Sequence, residues 1–177
     1  CFCDYPGFGV DANALYTGCN MFICSFHNSA FVIKKSSVLS GGPIVVTGFS
    51  NIGNPSFAGP YAPRGVDNDD PNATEGYIIG TDSGFLNRIN IRRVVNPGGT
   101  PTMGPTITLD VSNTNIVNQQ AQGSTTDVNT SDVRLFAAAI HKNKITGVSS
   151  LRTAQSVERD TTCTPAFSRA CPNSMFR

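Results

Sequence analysis

Tryptophan is absent from the 177 residues, so the large ring faces on which sugars commonly stack are missing, and Tyr5, Tyr16, Tyr61 and Tyr77 replace them only in part. Charge is scarce as well. Asp, Glu, Lys and Arg make up 14% of the chain and leave a net charge of +1, too little to build the field that holds nucleic acid or an anionic membrane. No apolar run reaches the roughly 20 residues of a membrane-spanning helix, because Lys34-Lys35 and repeated Gly and Pro break the longest ones. Histidine occurs only as His27 and His141, and no Gly-x-Ser-x-Gly elbow or glycine-rich phosphate loop accompanies them. Surface or hydrogen-bonding roles are expected for both. The chain opens on Cys1 rather than methionine, which fits removal of a signal peptide or excision from a longer protein.

What is abundant points to strands. Seventeen glycines and eleven prolines, with many Ser, Thr and Asn, punctuate short apolar runs, the pattern of strands joined by turns rather than of long helices. An all-β class follows. The six cysteines, Cys1, Cys3, Cys19, Cys24, Cys163 and Cys171, lie in two terminal clusters with none between residues 25 and 162. An even, close-spaced set reads as disulfides, which places the chain in an extracellular or periplasmic compartment. The zinc reading is weaker, since Cys1-x-Cys3 lacks the usual two-residue gap and neither histidine stands beside a matching pair. Connectivity stays open, with Cys163 and Cys171 the most local pair.

Self-similarity organises the middle of the chain. Gly9-Val10-Asp11 recurs as Gly65-Val66-Asp67, Phe31-Val-Ile33-Lys34-Lys35 as Ile89-Asn-Ile91-Arg92-Arg93, and Gly41-Gly42-Pro43 as Gly98-Gly99-Thr-Pro101. Each unit then reads as strands: 14–19 and 76–80 as short apolar runs, 31–39 and 86–95 as alternating segments, and 44–49 and 106–111 as closing strands. A third unit starts near Ser131-Asp132 and runs through Leu135 to Ile140. That segment has a competing reading as a helix capped by Ser131 or Asp132, because alanine is the best helix former, but the repeat favours strand. Units are expected at about 4–60, 61–125 and 126–146 within a single 1–177 domain, followed by a terminal arm at 147–177.

A repeat of about 55 to 60 residues with three or four strands is close to one propeller blade. The strings Asp4-Tyr-Pro6, Asn13-Ala-Leu15-Tyr16, Asp70-Pro-Asn72-Ala73-Thr74-Glu75-Gly76-Tyr77, Asn96-Pro-Gly-Gly-Thr-Pro101 and Arg134-Leu-Phe-Ala-Ala-Ala-Ile-His-Lys142 resemble an uncharacterised group of secreted bacterial β-propeller-like repeat proteins, over residues 4 to 145. The resemblance implies propeller-blade-like antiparallel sheet repeats, two clear units and a partial third, with a β-sandwich as the alternative. The cysteines at 1, 3, 19 and 24 depart from the group, and so does everything after Ile145.

Candidate sites are few. The acidic loop carrying Asp67, Asp69, Asp70, Asn72 and Glu75 offers oxygen ligands at close quarters for calcium, although its spacing is not that of an EF-hand. Asp11 and Asp67 hold equivalent positions and are expected to make the same turn hydrogen bond twice rather than to act as an acid and base pair. Arg92, Arg93, Tyr77 and Glu75 offer the groups of a sialidase-like centre, but adjacent arginines on a regular strand face opposite sides of the sheet. Asn72-Ala-Thr74 and Asn129-Thr-Ser131 fit glycosylation acceptors. The expected function is therefore a non-catalytic extracytoplasmic structural or interaction protein. Two or three units cannot close a ring alone, so partners are copies of itself, assembling into a ring or filament through open sheet edges, or the remainder of a larger propeller. The alternative is a propeller-type glycan-active enzyme or glycan-binding module. No cofactor is required apart from the calcium named above.

Overall fold

The computed structural model describes residues 1–23, 25–53, 59–82, 84–112, 121–128 and 133–155. The first unit is an antiparallel meander of β1 (Phe2–Val10), β2 (Ala14–Phe22), β3 (His27–Lys34) and β4 (Val46–Gly53), with one helical turn, α1 (Lys35–Leu39), before β4. The second repeats the plan with β5 (Pro60–Gly65), the two-residue β6 (Asp67–Asn68), β7 (Glu75–Asp82), β8 (Arg88–Val95) and β9 (Thr102–Asp110). A parallel bridge between Gly7 and Arg64 joins the halves into one eight-stranded sheet of order β4-β3-β2-β1-β5-β7-β8-β9. That sheet is barrel-like and nearly closed. A second sheet sets β10 (Leu135–Lys142) between β11 (Ser149–Gln155) and β6.

Alternation sorts the side chains into two clusters. Ala14, Tyr16, Ala30, Val32, Ile52, Ile78 and Val94 fill the interior, while Val66, Ile79, Leu135 and Ala138 join β5, β7 and β10 on the other face of the second meander. Adjacent Ile78 and Ile79 thus serve different cores. The halves approach so closely that side chains are excluded along the seam: a Cβ on Gly9 would overlap the Gly65 backbone, one on Gly76 would overlap the Tyr16 ring, and one on Gly18 would lie 2.6 Å from the Pro63 carbonyl oxygen. The repeated Gly-Val-Asp segments are therefore packed back to back.

Several expected boundaries move. The alternating segment 31–39 does not stay extended; β3 stops at Lys34, where the Ser37 hydroxyl donates to the Lys34 carbonyl and accepts the Val45 N–H. Local side-chain bonding of this kind competes with a ladder and favours a turn. The closing strands are also longer than read, β9 beginning at Thr102 and β4 ending at Gly53. Leu135–Lys142 is strand rather than helix, since its cross-strand pairing with β11 and parallel pairing with β6 outweigh alanine propensity. Ser149–Gln155, read as part of a terminal arm, supplies that partner strand. The capping residues Ser131 and Asp132 lie outside the described residues.

Candidate functional site

Between the β1–β2 turn and the acidic loop lies a cavity of about 280 Å³, lined among others by Asp11, Ala12, Lys35, Asn68, Asp69 and Asp70. Asp11, 3% exposed, is the fixed point of its wall. Its Oδ1 accepts the N–H groups of Asn13 at 2.6 Å and Ala14 at 2.9 Å, and its Oδ2 accepts the Tyr16 hydroxyl at 2.5 Å. Lys35 Nζ donates to the Asp11 carbonyl at 2.8 Å. Burial first, and the Asp11 hydrogen bond and charge after it, push the Tyr16 phenol far above its ordinary value. Every oxygen of Asp11 is thus engaged in holding the turn.

The repeated aspartate behaves differently. Asp67 does not make the same turn bond: its Oδ1 accepts the Val10 N–H at 2.9 Å, stitching the two units together. The residue that plays Asp11's part in the second unit is Asp82, whose Oδ1 accepts Gly84 N–H at 2.7 Å and Phe85 N–H at 3.0 Å while Oδ2 accepts Asn90 Nδ2 at 2.6 Å. Asn90 is fully buried and accepts the Thr108 hydroxyl. Asn20, also buried, accepts from Asn28 Nδ2 and the Ala62 N–H. These inward polar groups were missed in the sequence, where polar residues alternating with isoleucines read as a solvated face. An aspartate two residues before a glycine was the signal available at Asp82.

The acidic loop disperses its carboxylates. Asp70 accepts the Asn72 N–H at 2.9 Å and pairs with Lys142 at 3.5 Å; the Asn72 N–H first, then Lys142, hold its carboxyl below the ordinary range. Glu75 points to Arg93 at 3.3 Å and accepts the Tyr77 hydroxyl at 3.2 Å, while Asp67 is committed to Val10. Asp69 joins Asp70 at the cavity, and Asn72 is exposed. Among the described residues no three His, Cys, Asp or Glu side chains gather in a position to hold a metal ion. Tyr77, Glu75 and Arg93 do meet, and burial followed by the Glu75 charge raises the Tyr77 phenol. Arg92 turns the other way, donating to Thr106 Oγ1 at 3.0 Å, with burial lowering its guanidinium.

Cys3 and Cys19 form a disulfide across β1 and β2, and Cys1 is disulfide-bonded as well. Cys24, Cys163, Cys171 and Asn129 lie outside the described residues. His27 Nδ1 donates to the Ser25 carbonyl, and His141 is exposed on β10. No helix of the described residues is long and apolar enough to cross a membrane.

β4 and β9 end the eight-stranded order, and among the described residues neither has a partner on its outer side. On β9, Ile107 and Leu109 are 47% and 48% exposed, and on β4 Val46 is 52% exposed. The outward face of the first meander carries the cross-strand rows Val10, Leu15, Ile33, Val46 and Phe8, Thr17, Phe31, Gly48. No Asp, Glu, Lys or Arg stands in either row. Comparison of the chain with family models, curated proteins and solved structures finds no match.

Proposed function

We propose that the protein is a non-catalytic structural or interaction protein of an oxidising, extracytoplasmic compartment, which associates with copies of itself through its open sheet edges. The observation that carries this reading is β9, a nine-residue edge strand whose Ile107 and Leu109 are half exposed and whose only charged residue is Asp110. Edges of soluble sheets are usually guarded by lysine, bulges or a covering segment, because unpaired N–H and C=O groups template pairing with another chain. Here Pro105 blocks one position, and 106–110 stays available. The Cys3–Cys19 disulfide supports the compartment.

The propeller reading belongs to the same proposal. Two successive four-stranded meanders and the start of a third in β10 and β11 have the strand content of blades, and other copies or a longer chain would supply the remainder. Calcium is proposed as a weak ligand of the acidic loop at Asp69 and Asp70, where it would compete with Lys142. A glycan-active enzyme or glycan-binding module is the alternative, resting on the acidic cavity alone; turnover of chromogenic glycosides abolished by Asp11→Asn or Asp69→Asn, both at the cavity, would favour it.

Sedimentation velocity over a micromolar concentration series tests the main reading. The chain is expected to form concentration-dependent oligomers, and the double variant Ile107→Lys, Leu109→Lys to sediment as a monomer with an unchanged circular dichroism spectrum. A compact monomer at every concentration, for both proteins, overturns it.

A further inference from the structure

The β2–β3 hairpin ends in an apolar tip that packing does not explain. Ile23 is 90% exposed at its summit, Phe22 is 38% exposed beside it, and Phe2, paired with Phe22 on β1, is 56% exposed. Burying these groups in the interior would favour folding, yet the backbone holds them outward: Ile23 has φ 76° and Ser25 φ 64°. A β-branched residue in that region is a real outlier, kept only where the surroundings over-determine it. The Cys3–Cys19 disulfide ties β1 to β2 just below the Phe2–Phe22 pair.

Below the summit the side chains are graded. Phe26 packs on Phe22 with ring centroids 5.1 Å apart, and Tyr61 follows at 6.3 Å from Phe26. Aliphatic carbon is outermost, phenyl rings lie beneath it, and a phenol-bearing ring comes last. Charge is absent on this element: no Asp, Glu, Lys or Arg stands between Asp11 and Lys34. The nearest carboxylate along β1 is Asp4, opposite Asn20 and on the barrel side of the Phe2–Phe22 pair.

The geometry points to insertion of this tip into the interfacial zone of an uncharged lipid surface, with Ile23, Phe22 and Phe2 entering the acyl boundary and Tyr61 near the headgroups. Two features select lipid as the occupant. The uncharged hairpin suits a zwitterionic surface. Rings below an aliphatic summit follow the polarity gradient of a bilayer interface, where aromatic side chains collect. A shallow apolar anchor without a basic face binds through buried apolar area rather than lipid charge. This inference is independent of the self-association reading, which rests on β9 and β4.

The chain lacks tryptophan, so Phe22→Trp creates a single emission reporter. With phosphatidylcholine vesicles and the disulfides intact, its emission is expected to shift to the blue and to be quenched by brominated acyl chains. In flotation of the otherwise unaltered chain, Ile23→Asp is expected to lower the vesicle-bound fraction on the order of tenfold. Added salt is expected to leave binding unchanged. Binding that requires anionic lipid and falls with salt overturns the inference, as does a wild-type chain that does not float. A blue shift that grows with protein concentration without vesicles assigns the tip to a second copy and overturns it too.

Discussion

Asp11 and Tyr16 illustrate how single residues set this fold. The Tyr16 ring fills the space that Gly76 leaves open, Gly65 lies against its Cβ and carbonyl, and its hydroxyl satisfies the second oxygen of a buried carboxylate. Tyr16→Phe leaves that oxygen unpaired in the interior and is expected to cost about 1–3 kcal/mol, read from the urea midpoint at neutral pH. The alkaline limb carries a second signature. The folded-state value of Tyr16 is raised above its ordinary 10.0, so both states hold the proton at neutral pH and only the unfolded chain releases it above about pH 10. Stability that Tyr16 contributes is therefore complete below that value and is lost as pH rises beyond it. In Tyr16→Phe the alkaline decline should be shallower. Asp11 as a turn anchor was legible from the habit of aspartate to bond nearby backbone N–H groups, whereas Asn20, Asn28 and Asn90 were not, because a strand's polar alternation does not reveal whether its second face meets water or another sheet.

At the scale of elements, the short apolar runs and the alternating segment 86–95 were the readable ones: β2, β7 and β8 lie where their apolar residues place them. α1 was hidden because Phe31 to Leu39 keeps a strand-like composition, and the turn is decided by the Ser37 hydroxyl. β11 was hidden because Ser149–Gln155 carries one large apolar residue, Leu151, too few to show a period. The acidic loop was found as a cluster, but the partners that draw its carboxylates apart, Val10, Lys142 and Arg93, come from three other strands. The glycine seam gives the clearest test. Gly9→Ala drives a methyl into the Gly65 backbone, which has no flexible end to yield, and is expected to cost about 3 kcal/mol or more. Gly48→Ala on the edge strand meets only the Phe31 ring at 3.5 Å and should change stability by about 0.5 kcal/mol or less. Equal thermal shifts for the two variants would show that the seam is not the tight point.

For the whole molecule, the sequence led to an expectation of blade-like units, whereas the strands form two successive meanders joined in one barrel-like sheet around a shared interior. That arrangement is made by segments far apart in the chain, through the Gly7–Arg64 bridge, the Val10–Asp67 and Ala62–Asn20 hydrogen bonds and the glycine seam. The three-stranded second sheet stands on a smaller base, through Leu135 and Ala138 against Val66 and Ile79, and on the two-residue β6. Leu135→Ala is expected to cost about 2–5 kcal/mol locally, accelerating amide exchange in β10 and β11 while β2, β3, β7 and β8 stay protected. Uniform acceleration across both sheets would instead make the molecule a single cooperative unit.

The order of the eight-stranded sheet also bears on how it is reached in time. Apart from β1 with β5, each pairing joins strands that follow one another along the chain, with only the short β6 intervening between β5 and β7. Each meander can therefore zip up through short loop closures, and the long closure is needed once, when Gly9 and Gly65 come together. The slow event in folding falls at that encounter, and the glycines that permit it govern the rate of assembly as well as the stability of the finished sheet.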